Sequence, residues 1–94
     1  MDRPADFSVM EQDDRASLVM HGDWTGPNLG QAAAGLPAAL KQHPGAALDL
    51  TEVGRLDTAG AYALVRAAGS DFDLSRVSAR PETLRLLELV EKAA

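Results

Sequence analysis

The fold class that this 94-residue chain predicts is α/β, and three observations point to it. Two segments near the start place Phe7, Val9, Leu18 and Met20 at alternate positions, the period of a strand with one buried face. Three later segments repeat apolar residues at helical intervals. Short apolar runs bounded by Gly, Pro and Asp lie between them and read as further strands. The order is β-β-α-β-α-β-α. A hairpin followed by alternating units predicts a mixed four-stranded sheet with three helices packed on one face.

The first two strands are expected at Phe7–Gln12 and Ala16–His21, joined as a hairpin through the polar link Asp13-Asp14-Arg15. Gly22-Asp23-Trp24-Thr25-Gly26-Pro27 then breaks the alternation. The first helix is expected from Pro27 or Asn28, because proline suits the first helical position and Asn28 with Gln31 has capping-box spacing. Leu29, Ala32, Ala33, Leu36 and Leu40 give it a core-facing stripe; Pro37 inside it should kink or divide it, and His43-Pro44-Gly45 ends it. Ala46–Leu50 is the most buried strand candidate. A second helix runs from Asp57 or Thr58 to Ala68 with Ala61, Leu64, Val65 and Ala68 on one face, and Gly69 stops it. Phe72–Val77 alternates as a last short strand. Pro81–Ala93 is the third helix, whose Leu84, Leu86, Leu87, Leu89 and Val90 exceed a narrow stripe, so that part of it could face a partner. No repeat or linker divides residues 1–94, so a single domain with its core at about 7–90 is expected.

Composition narrows the function. Apolar residues make up 46% of the chain, with Phe7, Trp24, Tyr62 and Phe72 the only aromatics, so the core should be aliphatic. Nine basic against fourteen acidic side chains leave a net charge of −5, which argues against nucleic acid or anionic lipid as the main partner. No apolar run approaches the roughly 20 residues that cross a bilayer, and Asp2, Arg3, Pro4 and Asp6 do not read as a signal peptide. Cysteine is absent, so no disulfide or thiolate site exists. The expectation is a cytoplasmic domain without direct membrane insertion.

The most informative stretch is Ala47–Ala68, where a strand meets a turn and Asp57-Thr58-Ala59-Gly60 opens a helix. Unpaired amides and the positive end of the macrodipole at a helix start favour an acceptor or an anion. Thr58 can serve there as a cap, a contact or a phosphate acceptor. Ala59 and Gly60 add little bulk and would let another surface approach the backbone. A capped strand-to-helix turn is also common in any α/β domain.

Other chemistry finds little support. His21 and His43, the only histidines, lack neighbours at metal-ligand spacing; they fit the end of a strand and the end of a helix. Asp49, Glu52 and Asp57 are close in sequence, but solvation and capping explain them better than acid-base catalysis. There is no GxxxxGK[ST] or GxGxxG phosphate loop. Ser8, Ser17, Ser70, Ser75 and Ser78 have no GxSxG elbow or suitably placed base. Trp24 fits either a plug near the sheet edge or an interface anchor. Neither a metal nor a cofactor is expected.

Four segments in this order, the hairpin ending in HGDW, the strand LDLTEV, the segment LDTAGAYALV and the closing ARPETLRLLELV, resemble the STAS family, named for sulphate transporters and anti-sigma factor antagonists. The resemblance covers about Phe7–Val90, and its third segment is the most specific. It implies that Asp57-Thr58-Ala59-Gly60 matches the D-S/T-x-G turn in which antagonists carry a phosphorylated residue, with Thr58 as the candidate phosphoacceptor. The Trp after the second strand, Asp-Thr-Ala-Gly, and Arg-Pro-Glu before a Leu-rich helix look more like the STAS subunits, or N-terminal STAS extensions, of permeases in Mla-type ABC lipid transporters. That likeness implies a noncatalytic regulatory domain at the cytosolic face of the inner membrane, with the ABC transporter ATPase subunit and permease as partners. Asp57, Thr58, Ala59, Gly60 and Tyr62 would lie at the contact. Residues 1–94 would then be a free subunit or the front of a longer permease. The alternatives are an anti-sigma factor antagonist that binds an anti-sigma factor kinase and is controlled by phosphorylation of Thr58, and, from another class, a small nucleotide-binding module or enzyme using the anion-friendly helix start.

Overall fold

The computed structural model describes residues 3–93. It is an α/β domain with three α-helices on a mixed sheet. Strands β1 (Asp6–Gln12) and β2 (Arg15–Trp24) pair antiparallel, Gln12 opposite Arg15, so the hairpin loop is Asp13-Asp14 alone. Both loop residues have positive φ, 53° and 63°, the conformation a two-residue hairpin turn requires and one that Asp tolerates. Arg15, read in the sequence as part of the link, opens the strand instead.

β2 is the centre of the sheet. Its first half pairs in parallel with β3 (Ala47–Asp49), and its second half pairs in parallel with β4 (Val53–Leu56) along the same edge. The turn at Thr51–Glu52 separates these two short strands. β5 (Val77–Ser78) adds in parallel to β3. The sheet therefore has five strands, not the four expected, in the order β1-β2-β3-β5 with β4 beside β2.

Three corrections trace to polar bonding that outweighs pattern, local in the first two and long-range in the third. Helix α1 spans Gly30–Gln42, later than expected. Pro27 lies in a separate 3-10 turn at Gly26–Asn28, and the Asn28 side-chain Nδ2 donates to Thr25 Oγ1 at 2.9 Å instead of capping α1. The proposed last strand at Phe72–Val77 is reduced to Val77–Ser78, because Asp73 Oδ1 accepts from both the amide and the hydroxyl of Ser75 and winds Leu74–Arg76 into a 3-10 turn. β4 lies in the stretch expected as the turn between the strand and Asp57. Its backbone is held from outside: Asp23 Oδ1 accepts from the Arg55 amide at 3.1 Å, and Arg80 Nη2 donates to the carbonyls of Val53 and Gly54 at 3.2 and 3.1 Å. Pro37 does not divide α1; it is exposed while its neighbour Leu36 is fully buried.

Helices α2 (Thr58–Ala68) and α3 (Pro81–Ala93) fall where the pattern puts them. α2 packs between α1 and α3. The connection from β2 through α1 to β3, and that from β3 through β4 and α2 to β5, each return to a parallel neighbour, and the right-handed rule puts both helices on one side of the sheet. The core on that side joins Leu18, Met20 and Leu48 of the sheet to Leu36, Leu64, Leu87 and Val90 of the helices. Trp24 is fully buried among them, its indole N–H donating to the His21 carbonyl at 3.0 Å, which settles it as core and not as an interface anchor. Of the leucines of α3, Leu87 is buried, Leu84 and Leu86 are half-buried and Leu89 is 61% exposed. The opposite side of the sheet presents mainly small and polar residues, among them Ser8, Ser17, His21 and Asp49.

Candidate functional site

The junction of β4 and α2 is built around Asp57. Its backbone is extended (φ −108°, ψ −177°), and the residue caps α2 through Oδ1, which accepts from the Gly60 amide at 2.9 Å. Oδ2 accepts from the Gly26 amide at 3.0 Å, and the Asp57 amide donates to the Trp24 carbonyl at 3.3 Å. One carboxylate thus fastens the helix start to the loop that follows β2. The Gly60 amide, then the Gly26 amide, hold this carboxyl below the usual range for an aspartate. Asp57 is therefore occupied as a clamp.

Thr58 and Ala59, the first two helical residues, are exposed. Tyr62 follows Thr58 by one turn on the same side and is 47% exposed. These three form the outward part of the predicted site. Gly60 does not belong to it: the residue is buried, and a Cβ there would stand 1.7 Å from the Trp24 carbonyl oxygen. The close backbone approach anticipated at this glycine is made by the protein's own β2. Glycine is required because α2 starts in contact with that strand.

Two residues that frame the site escaped sequence reasoning. Gly26 supplies the second amide on Asp57, and it lies too far away in sequence to show any spacing signal. Asp23 is buried and accepts from the amides of Arg3 (2.9 Å) and Arg55 (3.1 Å), tying the N-terminal segment and β4 to β2. The sequence offered only an acidic residue between Gly22 and Trp24.

The remaining polar residues separate into local groups. Asp49 accepts from the hydroxyl and the amide of Thr51, which keep its carboxyl low, the hydroxyl contributing most. Glu52 turns towards His21, with Oε1 3.9 Å from Nδ1. Each of the three carboxylates considered for catalysis thus has its own partners. His43 is the residue after the end of α1, and its Nδ1 lies 3.7 Å from Glu11.

One expectation about the serines is overturned, since Ser8 Oγ lies 3.2 Å from His21 Nε2. A base does stand beside a serine. The pair rests on the open side of the sheet, Ser8 is exposed, and 3.9 Å between His21 and Glu52 is too long for an orienting hydrogen bond. That geometry lacks the enclosure and the aligned third group that acyl transfer uses. Among the described residues no three His, Asp or Glu side chains gather as a metal centre. No described helix is long and apolar enough to cross a membrane.

The outward set Thr58, Ala59 and Tyr62 offers a hydroxyl, a small methyl side chain and one aromatic ring at the start of α2. Comparison with protein-family models, curated proteins and solved structures returned no match, so the family reading rests on the residues of this chain alone.

Proposed function

We propose that this chain is a noncatalytic STAS-type interaction domain of an Mla-type ABC phospholipid transporter. It docks on the ATPase subunit through the start of α2, at the cytosolic face of the inner membrane. The observation that carries the reading is the exposure of Thr58 and Ala59 on a helix start that Asp57 holds at both carboxylate oxygens. A preorganised knob with small side chains can enter a groove with little ordering cost, and Tyr62 beside it supplies the aromatic contact that interfaces favour. The Thr58 hydroxyl can donate or accept across such an interface. Phosphorylation would add about −1.5 to −2 charges at a helix start that favours them, but a closely packed partner would not accommodate them. Modification would act as an off switch.

Affinity purification of the chain from its native cells tests this. Recovery of an ABC ATPase with its permease, reduced by Thr58→Glu, is the expected result. Recovery of an anti-sigma kinase that phosphorylates Thr58 would replace this reading with the antagonist one, which the accessibility of the same hydroxyl also favours.

A further inference from the structure

At the far end of α2 from Thr58, roughly 15 Å away along the helix, the ends of α1 and α2 part above the start of β3. They leave an open groove of about 520 Å³. Leu48 forms its floor, Pro37 and Ala38 one wall, Ala67 and Ala68 the other, and Phe72 closes one end. Pro37 and Pro44 have fixed φ, so the rim is stiff. The volume falls within the range of small-molecule sites, and the lining has their usual character, apolar with a few polar groups at the edge.

Those polar groups are Lys41, His43, Asp73 and Arg76, and they differ in what they have left to offer. Asp73 already accepts from the amide and hydroxyl of Ser75 and lies 3.7 Å from Arg76 Nε. His43 faces Glu11. Arg76 Nε lies 3.7 Å from Asp73 Oδ2, and Nη1 lies over Gly45 at the groove edge. Lys41 enters no ion pair among the described residues. The carbonyl ends of α1 and α2 also point this way, and Lys41 and Arg66 in their last turns offset them. What remains open at the mouth, among the described residues, is donor capacity on two cations, in a chain whose net charge is −5.

We propose that this groove binds a small amphipathic organic anion, a carboxylate or sulfonate with an aliphatic or aromatic body. The body lies on Leu48 and Phe72, and the head group takes hydrogen bonds from Lys41 and Arg76. Such a site is separate from the docking surface at Thr58 and holds whether or not that surface engages a transporter.

The probe is 1-anilinonaphthalene-8-sulfonate, an apolar fluorophore with one anionic group, compared with its uncharged relative N-phenyl-1-naphthylamine. Saturable 1:1 binding of the sulfonate to the folded protein is expected, with backbone amide shifts centred on Ala46, Ala67 and Phe72. Lys41→Gln with Arg76→Gln should weaken the sulfonate by about tenfold or more and leave the uncharged dye unchanged. Ala38→Phe, at an exposed position, should block both. Thr58→Glu should block neither, which separates this site from the docking surface. No binding up to about 1 mM, or amide shifts located elsewhere on wild-type protein, would overturn the groove. Equal affinity for the two dyes, or indifference to the charge variants, would overturn the anion.

Discussion

Gly60→Ala is the sharpest test of how α2 is seated. In an ordinary exposed helix this change stabilises by about 1 kcal/mol, because alanine is the better helix former. Here the new methyl would stand 1.7 Å from the Trp24 carbonyl oxygen, 2.7 Å from its carbon and 3.0 Å from Leu56 Cδ1, and two of those three atoms are backbone. Real contacts do not fall below 3.0 Å, so the helix start must retreat by more than an ångström. That retreat strains the Gly60 amide bond to Asp57 Oδ1 and the Asp57 amide bond to Trp24. Overpacking costs about 1–3 kcal/mol and a weakened cap about 0.5–2 kcal/mol, partly offset by the propensity gain. The net loss should be about 2 kcal/mol, or a fall in Tm of roughly 10 °C for a domain of this size. Urea unfolding of wild type, Gly60→Ala and the control Ala63→Gly measures it. A Gly60→Ala protein as stable as wild type would refute the close seating of α2 on β2.

Other outcomes follow from the same geometry. Asp57→Ala should destabilise by about 1–2 kcal/mol at neutral pH, from the lost cap and the lost tie to Gly26. Because the folded-state pKa of Asp57 is lowered, its contribution is complete above the unfolded value near 3.8 and disappears as pH falls through the folded one. The stability gap between variant and wild type should therefore narrow in acid unfolding series below about pH 4; a constant gap would remove the carboxylate as its cause. Pro37→Ala restores the missing amide in the middle of α1 and should raise stability by about 1–2 kcal/mol, read as a higher urea midpoint. Asp14→Gly relieves a positive φ of 63° at the hairpin turn and should be stabilising by about 0.5–1 kcal/mol, detectable by thermal melting.

The elements legible in the sequence were those whose signals are local. Asp57 before Thr58, Gly69 after Ala68 and Pro81 at the head of α3 mark helix ends within a residue of where they occur. β4 was not legible because Val53–Leu56 is a strand only in the company of β2, Asp23 and Arg80. Phe72–Val77 carries strand alternation, yet the Asp73–Ser75 bonds defeat it. In the candidate site, the exposed Thr58 and the cap at Asp57 could be read from their order. The inward role of Gly60 could not, since its reason is a carbonyl on a distant strand. The Ser8–His21 contact depends on hairpin register. With a two-residue loop Ser8 faces Val19 and reaches His21 diagonally, whereas a loop one residue longer shifts the pairing by one and sends that histidine to the other side.

The tethering of residues 3–5 decides how the molecule should be handled at the bench. Arg3 is bonded in both directions to Asp23, and the Ala5 amide reaches the Asn28 carbonyl, so a purification tag that pulls on this segment would load the bonds that fasten it to β2 and to the loop that follows β2. α3 begins near β4, where Arg80 reaches Val53 and Gly54, and then carries the chain roughly 20 Å away. Immobilisation through the tail puts the anchor far from Arg80 and leaves the bonds of residues 3–5 at rest.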